Sequence, residues 1–196
     1  MDLTLTFLGA ARCVTGSRYL LDSGRARVLV DCGLQQERNL QSRNWEPLPI
    51  PPDRLDAVLL THAHLDHCGL LPRLVQQGFR GPVFATGPTA EIARIVMLDS
   101  ARIQMEDVEH KRYRHEKNGR TPPRQPVPLY TEQDAERAGQ RFSVVELGRT
   151  VRVAEGVEAE FFEAGHILGS ASIRVRAGSG SEARTVLFSR DIGRWD

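Results

Sequence analysis

Ala57-Val58-Leu59-Leu60-Thr61-His62-Ala63-His64-Leu65-Asp66-His67 is the stretch whose reading decides the rest of the chain. Its four leading apolar residues are a candidate strand, short and buried on both faces. Three histidines and an aspartate follow at once, in the loop that leaves that strand. In an extended turn, residues two apart point the same way. His62 and His64 can therefore grip one metal ion, while Asp66 and His67, a step further round, reach a second. Imidazole and carboxylate donors favour zinc first, and manganese or iron next.

One turn cannot fill two coordination spheres, so further ligands must come from other strand ends. His166, within Glu163-Ala164-Gly165-His166-Ile167-Leu168-Gly169-Ser170, follows a predicted strand and is flanked by glycines that permit close backbone approach. Asp191, within Ser189-Arg190-Asp191-Ile192-Gly193, follows the last predicted strand and can bridge two ions through its two oxygens. Asp31 also ends a strand. Its expected role is to orient a ligand or the attacking water, because a metal-bound histidine usually needs an outer carboxylate to fix its tautomer. Cys68 reads as a buried small residue, and His110 and His115 as solvated.

The pattern around these residues is β-rich, then α/β, then β-rich. Leu3–Leu8 alternates, and Arg18–Leu21 and Ala26–Val30 flank the turn Asp22-Ser23-Gly24-Arg25 as a hairpin. Helices are predicted over Leu70–Gln77, from Pro88 and Glu91 onward with Ile92, Ile95, Val96 and Ile103 on one face, and from the Thr131/Asp134 cap to Gly139. Strands are predicted at Pro82–Ala85 and then at Ser143–Glu146, Val151–Ala154, Glu158–Phe162, Ser172–Arg176 and Thr185–Phe188, with a turn at Gly178-Ser179-Gly180-Ser181. Between His110 and Pro128 the periodicity disappears, and Lys111, Arg112, Arg114, Lys117, Arg120 and Arg124 outnumber the single acid Glu116. Residues 110–128 are therefore expected to form a basic, proline-containing loop, serving either as an RNA-contacting arm or as solvated surface.

Composition bounds the function classes. The chain has 196 residues, 40% hydrophobic and 26% charged, which suits one domain with a buried core rather than disorder. Basic and acidic residues nearly balance, 26 against 25, so a protein that binds nucleic acid by overall charge is excluded and any polyanion must be held locally. Three widely spaced cysteines (Cys13, Cys32, Cys68) without a CxxC pair argue against a disulfide framework. No apolar run is long enough for a membrane span, and no signal peptide is apparent. The expectation is a cytoplasmic protein with no membrane association.

Asp31, the His62–His67 cluster, His166 and Asp191 resemble, in order and context, the first four motifs of the metallo-β-lactamase superfamily. Gly9-Ala10-Ala11 with Val14-Thr15-Gly16-Ser17, Ala164-Gly165-His166-Ile167-Leu168-Gly169-Ser170-Ala171, Asp191-Ile192-Gly193-Arg194 and Pro128-Leu129-Tyr130-Thr131-Glu132 are similar to its β-CASP branch of RNA-processing nucleases. The resemblance implies an α/β fold, an αββα sandwich with a dimetal site at one edge of two sheets, and an RNA phosphodiester as substrate. It implies that His62, His64 and His166 hold one zinc, that Asp66 and His67 hold the other, and that Asp191 bridges them. Asp31, Asp66, His67 and Asp191 would then serve hydrolysis by a zinc-activated hydroxide.

The same resemblance sets further expectations. Residues 1–196 correspond to the N-terminal portion of the metallo-β-lactamase-like core, with the β-CASP domain and the last core segment absent. That segment supplies another histidine in the family, so the second zinc is expected to bind weakly, and an exposed sheet edge should favour a homo-oligomer or a covering partner. Arg190 stands where the family commonly has glycine, and could crowd the bridge or contact phosphate. A dimetal hydrolase of a small thioester or lactam is an alternative, disfavoured by the roughly hundred residues between His67 and His166. A truncated, inactive RNA-binding or scaffold relative is another. It is disfavoured because every ligand of the first four motifs is present.

Overall fold

The computed structural model describes residues 3–119, 125–178, 180 and 183–194. Arg120 and Arg124 of the expected basic loop, and Ser179 and Ser181 of the expected turn, lie outside these.

Among the described residues, ten strands form two sheets. The first has the order β1(Thr4–Phe7), β2(Tyr19–Asp22), β3(Arg27–Val30), β4(Ala57–Leu59), β5(Val83–Thr86), β6(Phe142–Val145). Its first three strands pair antiparallel, and β3 to β6 pair parallel. The second sheet is antiparallel throughout, in the order β10(Arg184–Phe188), β9(Ala171–Ala177), β8(Val157–Glu163), β7(Thr150–Ala154).

Side-chain alternation explains the layering. Along β3 and β4, Val28, Val30, Ala57 and Leu59 face the second sheet. Leu29, Val58 and Leu60 face the helices and pack with Leu71, Leu74, Phe79 and Met97. Both faces are covered, so these strands read as unbroken apolar runs. In the second sheet only one face is dry. Val157, Ala159 and Phe161 of β8 and Ile173 and Val175 of β9 point into the core between the sheets. On the outer face, register places Glu158 opposite Arg176 and Glu160 opposite Arg174, and both pairs make ion pairs. Three of the four layers of the expected αββα sandwich are thus in place. Among the described residues no helix covers the outer face of the second sheet.

Among the described residues there are four α-helices: α1(Leu65–Cys68), α2(Leu71–Gln76), α3(Gly87–Lys117) and α4(Glu132–Gly139). None is long and apolar enough to cross a membrane. α4 begins with the expected capping box, in which the Thr131 and Asp134 side chains each accept the other residue's backbone N–H. The preceding Tyr130 is wholly buried, and its hydroxyl donates to Ser100 Oγ of α3 at 2.9 Å. Burial pushes the phenol up to about 12. Tyr130→Phe should cost about 1 kcal/mol, the net worth of one neutral hydrogen bond, as a lower urea midpoint with unchanged slope. No change in midpoint would count against this assignment.

α3 corrects two expectations. Its buried face is made of Thr89, Ala90, Ala93, Met97, Ser100, Ala101 and Val108, whereas Ile95 and Ile103 are 67% and 53% exposed. Ile92 and Val96 pack only at the margin of the core. Small residues let α3 lie close against α4, whose Ala135 and Ala138 are also buried, so bulk is displaced to the flanks. The second correction concerns residues 110–117, which are not a loop but the last two turns of α3. Lys111, Arg112, Arg114 and Lys117 are exposed there. A helix end in water needs no apolar stripe, and Glu, Lys and Arg are strong helix formers.

Candidate metal centre

The site lies at the carboxyl ends of β3 and β4, where open α/β sheets commonly bind ligands. Loops from the second sheet close over it. β4 ends one residue before Leu60, and Thr61-His62-Ala63-His64 leads into α1, a single helical turn that carries Asp66 and His67. The backbone after β3 and just before β2 is stitched to that turn: Cys32 N donates to His67 O (2.7 Å), Leu34 N to Leu65 O (2.9 Å), and Ser17 N to Asp66 O (2.8 Å). Gly33 is required for this approach, since a Cβ there would stand 1.6 Å from Asp66 O.

Three imidazoles converge. His62 Nε2 is 3.1 Å from His64 Nδ1, and His64 Nδ1 is 3.2 Å from His166 Nε2. Asp191 Oδ2 stands 3.8 Å from His62 Nε2 and 3.7 Å from His166 Nε2. The donor atoms of these four residues lie within 4.8 Å of one another, a cluster able to bind a metal ion. The edge of a tetrahedron with zinc–nitrogen bonds of ordinary length is about 3.3 Å, so the donor spacing suits such an ion. Beside it, His67 Nε2 is 3.6 Å from Asp66 Oδ2 and 3.8 Å from the same Asp191 oxygen. One carboxylate oxygen thus faces donors on both sides.

Behind the candidate ligands is a buried polar network. Asp31 has no solvent exposure and accepts from Ser17 Oγ (2.9 Å), Thr61 N (2.9 Å), Thr61 Oγ1 (2.9 Å) and His67 Nδ1 (2.8 Å). Burial alone would raise the Asp31 carboxyl. The His67 hydrogen bond and charge, the Thr61 N–H and the Arg190 charge outweigh it, so it is held below the usual range. Burial alone would lower His67, but the Asp31 hydrogen bond and the charges of Asp31, Asp66 and Asp191 win, and its pKa is raised. His62 goes the other way, to about 3, mainly through burial and the charge of His67. His67 therefore turns Nδ1 to Asp31 and leaves Nε2 facing the carboxylates.

The remaining loops are anchored individually. Ser170 Oγ accepts from His166 N (3.0 Å) and Ile167 N (3.2 Å), Gly169 O accepts from Thr86 Oγ1 (2.6 Å) and Thr89 Oγ1 (2.8 Å), and Ala171 N donates to Thr61 O (2.8 Å). Gly193 N donates to Ala164 O at 2.8 Å, and a Cβ at Gly193 would stand 1.6 Å from Gly165 O. Asp191, 43% exposed in its side chain, is the open side of the centre.

All six candidate ligands meet here, with Asp31 behind them. Neither His110 nor His115 belongs to the cluster. Cys68 is fully buried, its thiol pushed up by burial, with Sγ toward Ala63 O. Ser17, Thr61 and Ser170 were not singled out from the sequence. Their signal was position alone: each adjoins a motif and carries a hydroxyl that could satisfy a buried acceptor or loop amide.

Residues 11–83 match the family described as the Metallo-beta-lactamase superfamily. Among curated proteins, the chain is similar to Ribonuclease TTHA0252 of Thermus thermophilus, at 39% identity over 94% of this chain and 37% of that protein. It is also similar to Transcription termination factor FttA of Cenarchaeum symbiosum (32%; 97% and 27%) and to Integrator complex subunit 11 of Danio rerio (30%; 94% and 29%). The chain thus spans little more than a third, or less, of the length of these relatives. Among solved structures it is similar to the metallo-beta-lactamase fold protein YhfI of Bacillus subtilis, with TM-score 0.56 and 19% identity over 98% of this chain and 63% of that one. A B3 metallo-beta-lactamase with an active-site glutamic acid gives 0.54 and 21% over 93% and 58%. At these identities the two structures speak for the fold alone.

Proposed function

The chain carries a metallo-beta-lactamase superfamily domain, and on that premise we propose that it is the catalytic core of a metal-dependent hydrolase that cleaves RNA phosphodiester bonds. The observation that carries the reading is the placement of one Asp191 oxygen 3.7–3.8 Å from His62, His67 and His166, between two adjoining donor sets. His62, His64 and His166 would hold one zinc, Asp66 and His67 a second, and Asp191 would be shared. When bound, the two ions would make a water nucleophile available at neutral pH and stabilise the charge that develops on phosphate.

The chain's own residues supply the orientation. Asp31 keeps the His67 proton on Nδ1, so that Nε2 stays a donor of electrons toward the site, and Thr61 and Ser17 hold Asp31 in turn. Asp66, on the turn of α1, and the exposed Asp191 would face the substrate phosphate. RNA as substrate is supported by the ribonuclease among the similar proteins. Three unpaired cysteines support a reducing, cytoplasmic setting.

The test is incubation of the zinc-loaded chain with labelled single-stranded RNA beside an Asp66→Ala, His67→Ala variant. Cleavage by the parent and none by the variant is expected. Identical traces would mean that the chain is not itself a nuclease.

A further inference from the structure

Arg190 has no place in the ligand set, yet it is built into the centre more firmly than an exposed loop residue needs to be. Its backbone is left-handed, with φ 49°, a region that strains a residue with a Cβ and that suits glycine. A residue kept in such a conformation is held there by its surroundings. Those surroundings are specific. The guanidinium lies over the Tyr19 ring, 4.6 Å from its centroid, and Nη1 donates to the Tyr19 hydroxyl at 2.8 Å. Tyr19 is itself fixed, edge-on to Phe7 at 5.3 Å and tilted against Phe188 at 6.0 Å. Arg190 Nε, which has no hydrogen-bond partner among the described residues, stands 3.6 Å from Asp31 Oδ2.

From these contacts we infer that Arg190 is a positioning residue for Asp191. The side chain spans from the end of β10 in the second sheet to Tyr19 and Asp31 in the first, and so fixes the residue before Asp191 against both. On the other side Gly193 N is tied to Ala164 O. Asp191 sits between these two anchors with its oxygen in reach of three imidazoles. Engaged with Tyr19 and 19% exposed in its side chain, the guanidinium is not presented to an incoming phosphate. The inference rests on Asp191 being a metal ligand, as proposed above.

The test separates the side chain from the backbone. Arg190→Gly removes the clamp and at the same time relieves the left-handed strain. If backbone shape alone placed Asp191, this variant would bind metal as well as the parent or better. The clamp requires the opposite, about tenfold weaker binding of cobalt in competition with a chromophoric chelator, with a changed d–d spectrum. Tyr19→Phe keeps the ring under the guanidinium and removes only the hydroxyl, and should weaken cobalt binding about threefold. Its conservative shape makes it the deciding variant should Arg190→Gly fail to fold, which thermal unfolding of the same samples reports. Parent-like affinity in either folded variant overturns the clamp while leaving the metal centre intact. A parent chain that takes up no cobalt overturns the metal reading itself, and the clamp with it.

Discussion

Replacing Asp31 by alanine should destabilise the protein by about 3–5 kcal/mol, because it removes one partner of a fully buried ion pair and strands every donor around it. Ser17 Oγ, Thr61 N, Thr61 Oγ1 and His67 Nδ1 all point at this fully buried carboxylate, and alanine offers them no acceptor. The backbone adds to the loss, since residue 31 sits at φ 59°, where aspartate and asparagine are better tolerated than alanine. Asp31→Asn separates the structural from the chemical part. Asparagine keeps the shape and an oxygen for Thr61 N, so the fold should lose less. Its amide, however, presents N–H where His67 Nδ1 needs an acceptor. The imidazole must then carry its proton on Nε2, the atom that faces Asp66 and Asp191. Metal affinity should fall about 10–100-fold in a protein that still folds. Denaturant unfolding and zinc competition on the two variants check both parts. An alanine variant within 1 kcal/mol of the parent, or an asparagine variant with the parent's affinity, would contradict the role given to Asp31.

How much of this was readable beforehand depended on whether a residue's role is written in its own neighbourhood. The apolar run of β4 followed by His62, His64, Asp66 and His67 is local and dense, and strand alternation in β8 and β9 is equally local; both were legible. The turn of α1 was not, because four residues are too few for a helical period to show. The buried face of α3 misled because alanines carry little hydrophobic signal, while Ile95 and Ile103 carry much and lie outside. The helical state of residues 110–117 was hidden for the complementary reason, as a charged helix end has no apolar face to betray it. Arg190 could be seen to stand where glycine is usual, but its engagement with Tyr19 depends on two sheets meeting 171 residues apart in sequence. Such contacts have no local signature.

The metal-free chain should be most stable near pH 6.5 and lose stability on both sides, for opposite reasons. His62 has its folded pKa depressed to about 3 from an unfolded value of 6.5. Between those values the unfolded chain binds the proton and the folded one does not, so stability falls as the pH drops below 6.5. The limiting slope is about 1.4 kcal/mol per pH unit for one proton. Asp31, with its pKa lowered, adds a loss below 3.8. His67 is raised, so its ion pair with Asp31 contributes fully below 6.5 and is lost as the pH rises through its folded value. His62→Gln removes the group responsible for the first limb, and urea midpoints measured from pH 4 to 9 should then flatten on the acid side only. An acid limb of unchanged steepness in that variant would show that His62 is not the group charging. Metal changes the balance in one direction, since the imidazole nitrogens facing the ion must be unprotonated to bind it. Zinc should therefore stabilise the protein increasingly from pH 5 to 8 and remove the alkaline limb. If zinc stabilised the protein equally at pH 5 and 8, binding at these imidazoles would be excluded.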